Sequence, residues 1–228
     1  MTVSSSLSTV LFDLDDTLCE YRRSPTDRRA AAFDRVGVAP YGSPTDFDTV
    51  LGDLPPADTD VGFYTNWFAA AADRVDADRT HAPDLGRAYA AVLDHRDVRY
   101  RPGARAALDH LTDRAGLDVG LVTNGGRANQ TQKLDALDLA DSFDVSVFAT
   151  PERGMKPDPY PFERALSALD ASADRTLYVG NSLRADVAGA GSLGLRTAWF
   201  PTDRARVPDP DPTPDHTLDS LAELPALL

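Results

Sequence analysis

TVLFDLDDTLCEY, residues 9 to 21, runs four apolar or β-branched residues straight into three aspartates within four positions. Residues 9 to 14 read as a buried strand, and its tip carries more negative charge than a strand end tolerates alone. Asp13 and Asp15 are two apart, so their carboxylates point to the same side. Two carboxylates that close repel, and one of them is pushed up unless a cation sits between them. The fold follows from what this strand is joined to.

From Pro102 onward, helical and strand patterns alternate. PGARAALDHLTDR, ANQTQKLDALDL, PYPFERALSALD and RADVAGAGSLG read as helices; LDVGLVTNGG, FDVSVFAT, TLYVGNS and LRTAWF read as strands. That alternation means βαβ units and a parallel sheet. The strands are near-continuous apolar runs, as expected when both sheet faces are covered. The tail repeats the beat weakly in DHTL and SLAELPALL. RVPDPDPTPD has prolines at alternate positions and reads as a surface connection.

Between Thr26 and Arg96 the text changes. TDRRAAAFDRV, DVGFYTNWFAAAADRV and PDLGRAYAAVLDH place apolar residues at helical spacing, separated by Pro- and Gly-bearing turns. No strand is expected there. The expected fold class is therefore a doubly wound, Rossmann-like α/β core with a mostly parallel sheet, residues 1–18 and 101–228. An all-α cap, residues 19–100, is inserted into it.

Ligands of open parallel sheets bind beyond the carboxyl ends of the strands. Asp13, Asp15, Asp16 and Thr17 follow the first strand; Thr123, Asn124 and Gly125 follow the second. Lys156 lies in the loop GMKPDP, and Gly180, Asn181, Ser182 and Asp186 follow a later strand. One ligand class gives these residues a common purpose, a phosphate ester with Mg²⁺. Asp13 would bind the metal and attack phosphorus. Asp15 would protonate the leaving oxygen and later deprotonate water. Thr123 and nearby backbone amides would hold the phosphoryl oxygens, with Lys156 offsetting the negative charge.

Composition sharpens the reading. Only Lys133 and Lys156 among the 23 basic residues are lysines, and 32 of the 36 acids are aspartate. One of two lysines thus falls where the chemistry wants an ammonium, while Lys133, in a helical pattern, is expected at the surface. The Asp-rich, Lys-poor bias and net charge of −13 resemble proteins of salt-loving archaea, with a high-GC genome as the alternative explanation. So acidic a surface argues against nucleic acid as a partner. No run of about 18 apolar residues is present, so no membrane partner is expected. The single Cys19 and an N-terminus without a basic or long apolar region point to the cytoplasm.

The stretches FDLDDTL, LVTNG, GMKPDP and VGNSLRADVAGA resemble, in order, the four motifs of the haloacid dehalogenase-like hydrolase superfamily. The resemblance spans essentially the whole chain, and the insertion falls where one subclass carries a helical cap. It implies Asp13 as nucleophile and Asp15 as general acid/base. It also implies a metal held by the Asp13 carboxylate, the Asp15 carbonyl and an acid after the fourth strand. Asn181 stands where relatives often have Asp, which leaves Asn181 and Asp186 as alternative ligands. Asp15 favours phosphate esters over haloacids, and an insertion without lysine argues against imine-type phosphonate cleavage. The expected activity is Mg²⁺-dependent hydrolysis of a small soluble phosphomonoester such as phosphoglycolate, a sugar phosphate or a nucleotide monophosphate. A phospho-accepting regulatory protein without turnover and a phosphomutase are the alternatives.

Other features read as structural. GAGSLG (189–194) ends a helix rather than opening one, the reverse of a dinucleotide fingerprint. Cys19 reads as a buried small hydrophobe, the four histidines show no metal spacing, and Trp67 and Phe68 read as cap core. Arg22, Arg23 and Arg127 are expected at the solvated surface.

Overall fold

Strand β1 (Thr9–Phe12) is buried along its whole length. It leads through the acidic loop into β2 (Cys19–Tyr21), and the inserted helices follow: α1 (Pro25–Val36), α2 (Pro44–Thr49), α3 (Asp60–Arg74) and α4 (Ala82–Val92). Then come β3 (Val98–Tyr100), α5 (Ala104–Thr112), β4 (Asp118–Asn124), α6 (Arg127–Ala136), β5 (Val145–Ala149) and α7 (Pro159–Ala168). The chain continues through β6 (Thr176–Gly180), a π-helical turn Leu183–Ala188, α8 (Gly189–Ser192), β7 (Arg196–Trp199) and β8 (His216–Thr217), and ends in a 3₁₀ segment, Leu221–Leu227. The computed structural model describes residues 7–55, 57–203 and 205–228.

Six strands form one sheet in the order β5-β4-β1-β6-β7-β8, every pair parallel. β1 is flanked by β4 on one side and β6 on the other, so the chain winds outward in both directions from it. That makes the carboxyl end of β1 the topological switch point. Alternation along the strands serves two cores. Val10, Phe12, Val119, Leu121, Leu177 and Val179 pack with α5, α6 and the C-terminal segment. Leu11, Val122 and Tyr178 pack with Phe162 and Ala165 of α7 and Ala190 of α8. On that second side Gly120 leaves no room for a Cβ, which would stand 2.6 Å from Leu11 and 2.9 Å from Val145.

The chain divides into two compact units, with Arg22–Asp97 inserted into the sheet-bearing remainder. The inserted unit is three residues shorter at each end than the expected 19–100. β2 and β3 account for the difference: they pair antiparallel, Cys19 against Tyr100 and Tyr21 against Val98, and group with the sheet unit.

The inserted unit has its own aromatic core. Phe33, Phe47, Trp67, Phe68 and Tyr89 are buried together, several ring pairs meeting edge to face. The Trp67 indole N–H donates to the Phe47 carbonyl at 2.8 Å. Local chemistry sets its helix starts. Ser24 caps α1 ahead of Pro25, Ser43 and Asp46 form a capping box on α2, and Thr59 caps α3. The six-residue α2 begins at Pro44, where the turn read from sequence at Pro40 to Pro44 ends, and is a helix that reading does not include. RADVAGAGSLG, read as one helix, divides into the π-helical turn and α8. No helix among the described residues is long and apolar enough to cross a membrane.

Candidate active site

The loop after β1 folds tightly on a single carbonyl. The N–H groups of Thr17, Leu18 and Cys19 approach the Leu14 oxygen at 3.3, 2.9 and 3.1 Å. Asp16, with φ 58°, takes the left-handed turn this requires, a conformation Asp tolerates better than most residues. Arg101 fastens the loop from outside. Its guanidinium donates to the Asp16 carbonyl and, at 3.3 Å, to the Pro201 carbonyl, and lies 4.1 Å over the Phe200 ring. Asp13 and Asp15 are thereby held at the switch point. Asp13 is almost fully buried, whereas 39% of the Asp15 side chain is exposed.

Lys156 reaches the site from the loop after β5. Its Nζ donates to Asp13 Oδ1 at 2.7 Å, Asp186 Oδ1 at 2.7 Å and the Tyr178 hydroxyl at 2.8 Å. The second Asp186 oxygen accepts from the Ser182 N–H at 2.9 Å. Gly180 makes this possible, because a Cβ there would stand 2.4 Å from the Asp186 carboxyl carbon. Burial raises the Asp13 carboxyl to about 7, against the pull of Lys156 and with the push of Asp186 and Asp15. Lys156 remains an ammonium. Burial works against its charge, but Asp13 and Asp186 outweigh that and raise it. Burial, with the Asp186 and Asp13 charges, drives the Tyr178 phenol well above its ordinary range, so it serves as a neutral donor.

The other expected residues divide by what their atoms touch. The Thr123 hydroxyl, at the end of β4, is buried 2.8 Å from Gln130 Nε2. Asn124 is turned to the loop: its amide exchanges hydrogen bonds with the Lys156 main chain at 3.0 and 2.8 Å. The Gly125 N–H donates to the Ala149 carbonyl at 2.9 Å, so this amide is already engaged. Asn181 Oδ1 lies 3.4 Å from Thr17 Oγ1, and that hydroxyl donates to Asp13 Oδ2 at 3.1 Å.

Two contacts depart from the sequence reading. Lys133, expected at the surface, is buried, its side chain only 6% exposed, and it grips both Asp15 oxygens at 2.7 and 2.8 Å. Gln130, which carried no expectation, donates to Asp15 Oδ2 at 2.9 Å. A helical pattern shows spacing but not what faces the helix, and Asp15 lies 118 residues away. The scarcity of lysine, applied to both lysines instead of one, was the available signal. Cys19 is buried, and desolvation raises its thiol far above the reactive range.

Comparison with known proteins fits this arrangement. The profile of the haloacid dehalogenase-like hydrolase family matches residues 7–194. The chain is 28% identical over 200 residues to glyceraldehyde 3-phosphate phosphatase of Pyrococcus abyssi, covering 85% of this chain and 81% of that one. It is 31% identical to ribulose-1,5-bisphosphate 5-phosphatase of Halopiger xanaduensis, over 96% and 98% of the two chains. It is 34% identical to a phosphoglycolate phosphatase of Cereibacter sphaeroides, over 96% of each. Among solved structures, the HAD-hydrolase YfnB of Bacillus subtilis bound to magnesium superposes with a TM-score of 0.71 at 23% identity, covering 98% and 99% of the chains. CbbY of Rhodobacter sphaeroides in complex with phosphate gives 0.69 at 23%, covering 96% of each.

Proposed function

Because the chain belongs to the haloacid dehalogenase-like hydrolase family, we propose that it hydrolyses a small phosphomonoester through an aspartyl-phosphate on Asp13, with Mg²⁺ as its metal. The observation that carries this is the Lys156 ammonium at 2.7 Å from a buried carboxylate at the switch point of the sheet. The phosphatases among its relatives, named for two sugar phosphates and for phosphoglycolate, support a substrate of that size and class. The reading includes a cytoplasmic location, in keeping with a lone buried thiol.

The donor set suits a hard cation. Asp13 Oδ2 and Asn181 Oδ1 both face the Thr17 hydroxyl, which has one proton to give. A carboxylate oxygen and an amide oxygen that share one hydroxyl proton are the hard oxygen ligands Mg²⁺ takes. The Asp13 carboxylate, the Asp15 carbonyl and the Asn181 amide oxygen would hold it. Asp186 drops out of that set, since its oxygens are taken up by Lys156, Tyr178 and the Ser182 N–H. It acts as the counter-ion that holds Lys156. When bound, the metal neutralises charge on the phosphoryl group.

A carboxylate oxygen of Asp13 attacks phosphorus and forms an O–P bond while the ester P–O bond breaks. The electron pair of that bond leaves on the alcohol oxygen, which takes a proton from Asp15. Water then attacks the phosphorus and gives a proton to Asp15. The bond to Asp13 breaks with its electron pair returning to the carboxylate, and inorganic phosphate departs. Throughout, Lys156 offsets the phosphoryl charge and Thr123 lies beside the reacting group. Asn124 fixes the Lys156 main chain and so aims its side chain. Phosphate release from a panel of sugar and sugar-acid phosphates, with Mg²⁺ in low and molar KCl, tests the reading. Turnover that survives EDTA, or survives in Asp13→Asn, would refute it.

A further inference from the structure

Resting on that reading, we propose that Lys133, with Gln130 beside it on one face of α6, is a positioning residue that fixes the Asp15 carboxylate for proton transfer. The chain's two lysines then serve its two strand-end carboxylates, one each.

Four observations carry the proposal. First, lysine is nearly excluded from this chain, two among 23 basic residues, yet both are buried and each contacts one of this pair. A surface lysine in such a composition would be expected to have become arginine, but a buried site shaped for a compact ammonium holds the broader guanidinium fork less well. Second, the contact is two-pronged, with Nζ at 2.7 and 2.8 Å from the two Asp15 oxygens. Lys133 also lies 5.1 Å over the Tyr21 ring, so its position is itself constrained.

Third, Gln130 and Lys133 are three apart on a helix and reach the same carboxylate, which restrains it from two points. Fourth, the Gln130 amide faces Asp15, Thr123 and the Asn124 carbonyl with its NH₂ group, and its own buried carbonyl oxygen has no partner among the described residues. An unmet buried acceptor is costly, and packing alone gives no reason to keep one. Holding the NH₂ against Asp15 does. Gln130 also touches the Thr123 hydroxyl, at 2.8 Å, and so borders the phosphoryl side as well; Lys133, whose Nζ grips both Asp15 oxygens, is the cleaner probe of Asp15.

The test compares kcat/KM for p-nitrophenyl phosphate and phenyl phosphate, two esters of similar shape. Nitrophenolate leaves without help; phenolate needs the proton that Asp15 delivers. Lys133→Met is expected to lower kcat/KM for phenyl phosphate about 100-fold and for the nitrophenyl ester less than about tenfold. Asp15→Asn should show the same selectivity. The Asp15→Asn/Lys133→Met double variant should lose little beyond Asp15→Asn, because a residue acting through Asp15 has nothing left to position. Lys133→Arg should recover part of the loss. If Lys133→Met does not fold, Gln130→Met and Lys133→Arg are read by the same ratio. Equal losses on the two esters, or losses that multiply in the double variant, overturn the inference and leave the phosphatase reading standing.

Discussion

Asp13, the proposed nucleophile, shows how burial at one residue works against stability. Its carboxyl moves from 3.8 to about 7 in the fold, chiefly through burial. The folded protein therefore holds this proton over a range in which the unfolded chain has released it. The stabilising contribution is full below 3.8 and is lost as pH rises through about 7. Without Mg²⁺, Asp13→Asn should unfold at a higher temperature than wild type at pH 8, with the gap shrinking as the pH falls toward 4. Mg²⁺ should raise the wild-type midpoint and leave that of Asp13→Asn unmoved. Equal midpoints at pH 8, or a gap that widens on acidification, would contradict this. Asp13 was legible in the sequence because a strand tip crowded with acids is costly without a partner. Lys133 and Gln130 were not, because their meaning depends on which helix face turns toward a residue far away in the chain.

Helix ends carry the chain's compositional bias into local structure. α3, α6 and α7 each finish with an Asp in the left-handed conformation where glycine is common: Asp76, Asp138 and Asp170. After α6 the Leu139 N–H returns to the Leu134 carbonyl at 2.9 Å and the Asp138 N–H to the Asp135 carbonyl at 3.3 Å, a Schellman closure. Asp tolerates the geometry but places a negative charge at the negative end of the helix dipole. Asp138→Asn keeps the conformational tolerance and removes the charge. It should stabilise the protein by about 0.3–1 kcal/mol in denaturant titrations at low salt. In 2 M KCl the gain should vanish. A gain unchanged by salt would place the effect in backbone conformation instead. The parallel strands were legible because both their faces are covered, which leaves unbroken apolar runs. α2, three-residue β2 and β3, and the π-helical break before α8 were not. They are too short to show a period, and their pairing or register is set by tertiary contacts.

At the scale of the whole molecule the net charge of −13 matters most. Thirty-two aspartates and four glutamates face 23 basic residues, and many ion pairs, such as Arg79–Asp73 and Arg105–Asp109, lie at the exposed surface, where each contributes little. Self-repulsion is the larger effect, and it is screened as the Debye length falls from about 10 Å at 0.1 M salt to about 3 Å at 1 M. Raising KCl from 0.1 to 2 M should therefore raise the thermal midpoint and preserve Mg²⁺-dependent turnover. A midpoint that falls with KCl would sink the salt-adapted reading while leaving the chemistry untouched.

The central claim concerns a covalent bond to Asp13. Protein quenched during turnover of p-nitrophenyl phosphate with Mg²⁺, then treated with borohydride, reduces any aspartyl-phosphate to homoserine. Mass spectrometry of the peptide containing residues 9–21 should find homoserine at position 13, and none in Asp13→Asn. Turnover with Asp13 unmodified, or with homoserine at Asp15 or Asp186 instead, would contradict the account.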